Sequence, residues 1–253
     1  DRMFDMGFLP DVRRILKCLT RPRQTLLFSA TMPEDIRRLV KEILHNPVTV
    51  QIGQTAPADT VSHSLYPVKQ HLKTALLMEL LYRTELKSVL VFTRTKYRTE
   101  RIAQRLKNAG FKAASLQGNL SQSRRQAALD GFRTGSIKIL VATDIAARGI
   151  DILHISHVIN YDMPENVDAY IHRIGRTGRV NNNGDALTFV TNADTAMVSS
   201  IEHILKTKIE RCVLENFDYQ RPAPGEIDNR QNHRMPLRPI IRNRKTSFAN
   251  TAK

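Results

Sequence analysis

Residues 88–116, SVLVFTRTKYRTERIAQRLKNAGFKAASL, decide the fold. Ser88 to Thr93 is a short apolar run rich in Val, the composition of a strand buried on both faces. Lys96 to Asn108 predicts a helix, closed by Gly110, and Lys112 to Leu116 predicts a second short strand. A strand, a helix of 10 to 15 residues and another strand make the crossover unit of a parallel sheet. The same alternation runs outward on both sides. Upstream come a strand from Ser64 to Val68 and a helix from Lys69 to Tyr82. Downstream come a helix from Ser121 to Phe132, strands from Ile137 to Ala142 and His157 to Tyr161, a helix from Val167 to Ile174, a strand from Asp185 to Val190 and a helix from Ala193 to Leu205. The expected fold is α/β: a doubly wound parallel sheet with helices on both faces, which binds ligands at the carboxyl ends of its strands.

Four segments are expected. Residues 1–52 predict a helix from Pro10 to Cys18, a buried strand from Gln24 to Ser29, a helix opening at Pro33 with Ile36, Leu39, Val40, Ile43 and Leu44 on one face, and a short strand from Val48 to Ile52. Residues 53–61 read as a linker and 62–215 as the doubly wound unit. Residues 216–253 carry Pro222, Pro224, Pro236 and Pro239 among arginines, and read as a basic disordered tail.

The chain has 253 residues, 39 Lys and Arg against 24 Asp and Glu, and a net charge of +15. Its pI is near 10.2 and its mean hydropathy is −0.34. That excess of positive charge favours an anionic partner, nucleic acid before others. Two cysteines, Cys18 and Cys212, exclude a disulfide-stapled scaffold, read as buried apolar groups, and suit a reducing, cytoplasmic setting. No apolar run approaches the ~18 residues of a membrane span.

The densest chemical signal is Tyr170-Ile171-His172-Arg173-Ile174-Gly175-Arg176-Thr177-Gly178-Arg179. Three arginines recur at three-residue intervals, and two glycines break what would otherwise be a helix. Such a helix end lets backbone approach a ligand and offers forked donors to phosphate oxygens. The plain alternative is a solvated basic helix end. Thr143 to Asp151 follows the strand ending at Ala142 and offers a hydroxyl, two acids, an Arg and a Gly for phosphate and ribose, or simply a capped turn. Ser29-Ala30-Thr31 ends the strand of the first segment and alone reads as a capping turn. Thr93-Arg94-Thr95 ends another strand. Gln117-Gly118-Asn119 precedes a helix whose first turns carry Ser121, Gln122, Arg124 and Arg125, a setting for phosphate or for a helix cap. No GxxxxGK[ST] phosphate loop occurs.

These stretches together resemble the carboxyl-terminal half of a DEAD-box ATP-dependent RNA helicase, nearest the bacterial RhlE type, over residues 1–215. Asp1 resembles the last residue of the Asp-Glu-Ala-Asp box, with Arg2 to Phe8 following as in that family. Ser29-Ala30-Thr31 resembles motif III, Val91-Phe92-Thr93-Arg94 motif IV, Thr143 to Asp151 motif V and His172 to Arg179 motif VI. One departure is Gln117, where many members carry His.

The resemblance implies the end of one RecA-like domain (1–52) and the whole of a second (62–215), closing around ATP and RNA. It implies that Arg176 and Arg179 reach the γ-phosphate, Asp151 the ribose with Gly149 beside it, and that His172 and Arg173 link motif VI to motifs II and III. Ser29 and Thr31 are implied to couple hydrolysis to strand separation, and Asp1 to hold Mg2+, in part through water. Arg94, Gly118, Gln122, Arg125, Thr143 and Arg148 are implied to face RNA, in a manner tolerant of sequence. A monomer is expected, with no membrane partner, and with ribosome-assembly or RNA-decay proteins as candidate partners.

Lacking a P-loop, this stretch by itself is expected to be inactive, with Leu26, Leu27 and Phe28 turned to solvent. Two other readings stay open: an RNA-binding module without turnover, and a DNA helicase of the wider superfamily.

Overall fold

The computed structural model describes residues 7–20, 22–29, 32, 34–51, 61–83, 87–147, 155–178 and 183–223. Among the described residues two helices come first, α1 (Leu9–Cys18) and α2 (Glu34–Ile43), tied by Arg13, which donates to both Glu42 oxygens at 3.0 and 2.8 Å. The apolar face expected of α2 is realised at Ile36 and Leu39, which are buried, whereas Ile15 of α1 is exposed.

The strands expected at Gln24 to Ser29 and Val48 to Ile52 do not form among the described residues. A run read as buried on both faces needs a neighbour on each side, and every strand of the sheet comes from Val61 onward. Leu26 is 69% and Phe28 88% exposed, with Leu27 half-buried, much as the absence of covering strands requires. Cys18, read from sequence as buried, is exposed, and Cys212 is half-buried.

From Val61 the chain alternates as expected: β1 (Val61–Pro67), α3 (Lys73–Arg83), β2 (Val89–Phe92), α4 (Lys96–Asn108), β3 (Ala113–Leu116), α5 (Gln122–Arg133), β4 (Ile139–Ala142), α6 (Asp144–Ala147), β5 (His157–Asn160), α7 (Val167–Ile174), β6 (Gly184–Val190), α8 (Thr195–Leu205) and β7 (Glu210–Arg211). The helix starts are chemically marked. The Thr95 hydroxyl accepts from Arg98 N at α4, Ser121 from Arg124 N at α5, and the Asn166 side chain from Ala169 N at α7.

Seven strands pair in the order β3-β4-β2-β5-β6-β1-β7, all parallel. Alternate residues feed opposite faces. Val89, Val91, Ile139, Val141, Ile159 and Phe189 pack under α3 and α4. Leu90, Phe92, Leu140, Ala142 and Val158 pack under α5 and α6, and Leu65, Ala186 and Val190 under α7 and α8. The sheet is thus covered on both sides, as in other open α/β sheets.

The edge strand β7 is only two residues long and is held by Glu202 of α8. The Glu202 carboxylate, 4% exposed, accepts from Ile209 N at 2.9 Å, Lys208 Nζ at 2.9 Å and the Arg211 guanidinium. Those donors, Arg211 first, hold its pKa down to about 2.

The linker expected at 53–61 lies outside the described residues except for Val61, and so does the tail beyond Ala223. Phe217 and Tyr219, read as part of the tail, instead pack against the core under α3, because two aromatics and Leu214 give this stretch apolar area to bury.

Candidate functional site

The strand register places the chemically suggestive loops in one row. Leu116 is level with Ala142, Ala142 with Phe92, and Phe92 with Asn160. Gln117, Thr143, Thr93 and Tyr161 are therefore the first residues past the carboxyl ends of four adjacent strands. At ~4.8 Å between strands the row is about 14 Å long. Chain order scatters these residues from Thr93 to Tyr161, 69 positions of sequence; the strand order 3-4-2-5 gathers them.

Arg173, on the last turn of α7, crosses this row. Its side chain is 3% exposed. Nε and Nη2 donate to the two Asp144 oxygens at 2.6 and 2.7 Å, while Nη1 donates to the Asp162 carbonyl at 2.7 Å and the Asn160 side chain at 3.2 Å. The guanidinium also lies 5.0 Å from the Phe92 ring centre. One fork thus binds the loop after β4, the end of β5 and the end of β2. Among the described residues its donors serve this sheet and the first residue of α6, so Arg173 positions the loops of the site.

Tyr170 sets α7 in place one turn earlier. It is fully buried, its hydroxyl lies 3.0 Å from His63 Nδ1, and burial pushes its pKa up to about 12. Beyond α7 the chain turns at Gly175. Thr177 Oγ donates to the carbonyl oxygens of Ile155 (2.5 Å) and Ser156 (3.1 Å), and Gly178 follows at φ +68°, a conformation that favours glycine. Gly184 then passes so close that a Cβ there would sit 2.5 Å from Gly178 N and closer still to the Thr177 hydroxyl. Arg176, 8% exposed, is held in this turn by its backbone N–H to the Arg173 carbonyl at 3.1 Å.

Five more of the expected residues, Thr143, Arg125, Gly118, Gln122 and Arg94, belong to the loops and helix starts that follow these strands. Thr143 is the cap of α6, its Oγ accepting from Ala146 N at 3.4 Å. Arg125 spends one donor on the Ala146 carbonyl at 2.9 Å, which closes α6 from the other end. Gly118 is exposed, with open space where a side chain would be, in a turn fastened by Asn119 N to Gln117 Oε1 at 2.6 Å. Gln122 is exposed on the first turn of α5, and Arg94 is exposed after β2. His172 is half-buried on α7, and Ser29 is half-buried in the first segment. Asp1, Thr31, Arg148, Gly149, Asp151 and Arg179 lie outside the described residues.

Two residues of the site escaped the sequence reading. Asp162, 3% exposed, accepts from Arg94 N (2.9 Å) and Arg98 Nη1 (2.6 Å). It therefore fixes the turn after β2, and Arg94 Nη2 reaches the Met163 carbonyl at 3.4 Å. Lys73 is 2% exposed and donates to the carbonyls of Tyr161 and Phe189 at 3.1 and 3.4 Å. Burial lowers its pKa, with Asp162 opposing. A lone acid after a strand and a lone lysine on an apolar helix carry no spacing signal; their position before Pro164 and on the buried face of α3 was the available clue.

Chemically, the row offers hydroxyls, backbone N–H groups and arginines on rigid strand ends, a donor set suited to phosphate groups. Comparison with known proteins agrees with that chemistry. Residues 72–181 match the family described as helicase conserved C-terminal domain, and residues 1–39 the family described as DEAD/DEAH box helicase. The chain is 43% identical over 218 residues to RNA helicase CrhR of Synechocystis, covering 85% of this chain and 44% of that protein. It is 45% identical over 210 residues to the ATP-dependent RNA helicase vasa of Drosophila melanogaster, covering 81% and 32%. The chain thus spans less than half the length of these curated relatives.

Among solved structures, the Escherichia coli DEAD-box protein SrmB bound to regulator of ribonuclease activity A superposes with a TM-score of 0.60 at 36% identity, covering 66% of this chain and 98% of that one. Yeast Dbp5 bound to RNA and ADP BeF3 superposes with a TM-score of 0.75 at 32% identity, covering 81% and 55%. The doubly wound sheet is accordingly a RecA-like helicase domain. On fold, motif order and identity together, the chain belongs to the DEAD-box family of RNA helicases.

Proposed function

We propose that this chain is the carboxyl-terminal half of an ATP-dependent RNA helicase that couples ATP binding and hydrolysis to local separation of an RNA duplex. The observation that carries the reading is the row of loops after β3, β4, β2 and β5, cross-tied by Arg173. In this division residues 1–52 end a first RecA-like domain, 53–61 link, 62–215 form the second domain, and 216–253 add a basic tail with salt-sensitive RNA affinity. The finer assignment to the RhlE type is supported by the sequence resemblance over residues 1–215.

The donor set fits a nucleotide triphosphate with Mg2+. Arg176 is presented by a turn whose backbone is pinned at Thr177 and Gly178, and Arg179 stands three residues on. Closing of the two domains brings both arginines to the γ-phosphoryl, where they neutralise the charge that develops in transfer. Asp151 and Gly149 take the ribose side, Asp1 the metal, and ATP supplies the free energy. Arg94, Gly118, Gln122, Thr143, Arg125 and Arg148 hold the RNA backbone, and backbone contacts suit a sequence-tolerant substrate. The resemblance assigns His172, Ser29 and Thr31 to the seam between the two domains. The protein acts as a cytoplasmic monomer, with ribosome-assembly or RNA-decay proteins as its protein partners. Because the P-loop is not in this sequence, turnover belongs to the whole protein and not to this stretch.

ATPase turnover of the complete protein, with and without RNA, tests the reading. Arg176→Ala is expected to lower RNA-stimulated turnover at least about a hundredfold. Unchanged turnover in the variant would sink the finger assignment, and RNA binding without any turnover in the wild type would favour a non-enzymatic module.

A further inference from the structure

The outer side of α4 carries no part of the site described above, yet it borders an open cavity of about 520 Å3. The cavity is walled by Lys96, Tyr97, Glu100, Arg101 and Arg105 of α4, and it ends against Gln117 and Asn119 of the β3–α5 turn. Tyr97, Arg101 and Arg105 stand at i, i+4 and i+8, one stripe of the helix about 12 Å long. All three are exposed, Tyr97 at 75%.

The charge of this wall is one-sided. Lys96, Arg101 and Arg105 face a single acid, Glu100, whose carboxylate already accepts the Ser115 hydroxyl at 2.6 Å. Lys96 lies 5.4 Å from the Tyr97 ring centre and donates to Asn119 Oδ1 at 3.0 Å. The wall is therefore joined, through Asn119, to the turn that presents Gly118. An exposed ring between cations is the arrangement that holds a single strand: the ring stacks a base and the cations take the flanking phosphates.

We propose that the cavity on α4 is a second RNA subsite, in which single-stranded RNA leaving the Gly118 turn stacks a base on Tyr97 and lays its phosphates along Arg101 and Arg105. Those two guanidinium stems rise about 6 Å apart along the helix, close to the repeat of phosphates on an extended strand. An acidic protein segment could use the same cations, but it has no use for an aromatic ring continuous with the Gly118 turn. The subsite extends the RNA path beyond the carboxyl edge of the sheet and rests on the RNA reading of that edge.

Fluorescence anisotropy of the complete protein with oligouridines of increasing length tests this. Wild-type affinity is expected to keep rising with length past the point at which Tyr97→Ala and the Arg101→Gln/Arg105→Gln double variant level off. On the longest RNA, Tyr97→Ala is expected to bind about tenfold more weakly. The double variant is expected to lower the salt slope of log K by about 1.4, the share of two phosphate contacts on a single strand. All three side chains are solvent-facing, so unchanged thermal midpoints accompany these effects. Affinities that coincide with wild type at every length overturn the subsite and leave the face to a protein partner, while the RNA reading of the main row stands. Failure of the wild type to bind RNA of any length overturns both.

Discussion

Arg173 is the side chain on which three loops of the row meet, and its removal is felt by each. Arg173→Ala strands the Asp144 carboxylate, the Asp162 carbonyl and the Asn160 amide oxygen without their donor. Breaking a buried pair by removing one partner costs about 3 to 5 kcal/mol, and the partial exposure of Asp144, 39%, puts this one at the lower end, near 3 kcal/mol. Arg173→Lys keeps the charge but loses the fork, so it is expected to recover less than half of that loss. Urea denaturation of the three proteins measures both; equal stability of the Lys variant and wild type would show that charge alone suffices. The sequence pattern alone offers all three arginines to phosphate, because an Arg triplet with glycines carries no mark of which member is buried. Burial is decided by α7, whose buried Tyr170 and Ile174 turn residue 173 inward as well.

At the scale of elements, most of the sheet was legible. The helices expected at Lys96 to Asn108 and Val167 to Ile174 form with those same bounds, because apolar positions recur at helical spacing, a polar cap marks each start and a glycine stands at or just past each end. Elements too short for a period were not legible: α6 has four residues and β7 two. The apolar runs near Leu26 and Val50 misled in the opposite sense, since strand composition is a local property and a ladder is not. Gly184 shows how tightly the legible parts are fitted. Gly184→Ala drives a methyl into the Thr177 hydroxyl and Gly178 N, in the turn that carries Arg176. The expected loss is about 1 to 3 kcal/mol with a matching fall in RNA-stimulated ATPase. Gly118→Ala, which meets open space, is expected to stay within about 0.5 kcal/mol of wild type. Thermal midpoints of the pair compare the two, and equal midpoints would remove the packing argument at Gly184.

For the molecule as a whole, stability is expected to fall in acid in two stages. His63 and His157 have pKa values lowered from 6.5, both chiefly by burial. The unfolded chain therefore binds their protons first, and the stability they lend above about pH 6.5 is lost as the pH falls toward their folded values. Glu202 follows. Its folded pKa of about 2 lies below the ordinary 4.5, so its contribution is complete above about pH 4.5 and vanishes as the pH drops through 2. Glu202→Gln is expected to cost about 1 to 3 kcal/mol at pH 7 and progressively less below pH 4.5. Urea melts of both proteins across this range check the sign; a gap that widens in acid would contradict it.

The cross-tie at Arg173 also bears on how two ligands sense each other. The loop carrying Asp144 and the turn that ends α7 share one guanidinium. In the proposed reading the first faces RNA and the second the nucleotide, so free energy that RNA spends in seating the first returns, by thermodynamic reciprocity, as tighter nucleotide at the second. On that reading the messenger between the two is a single planar ion.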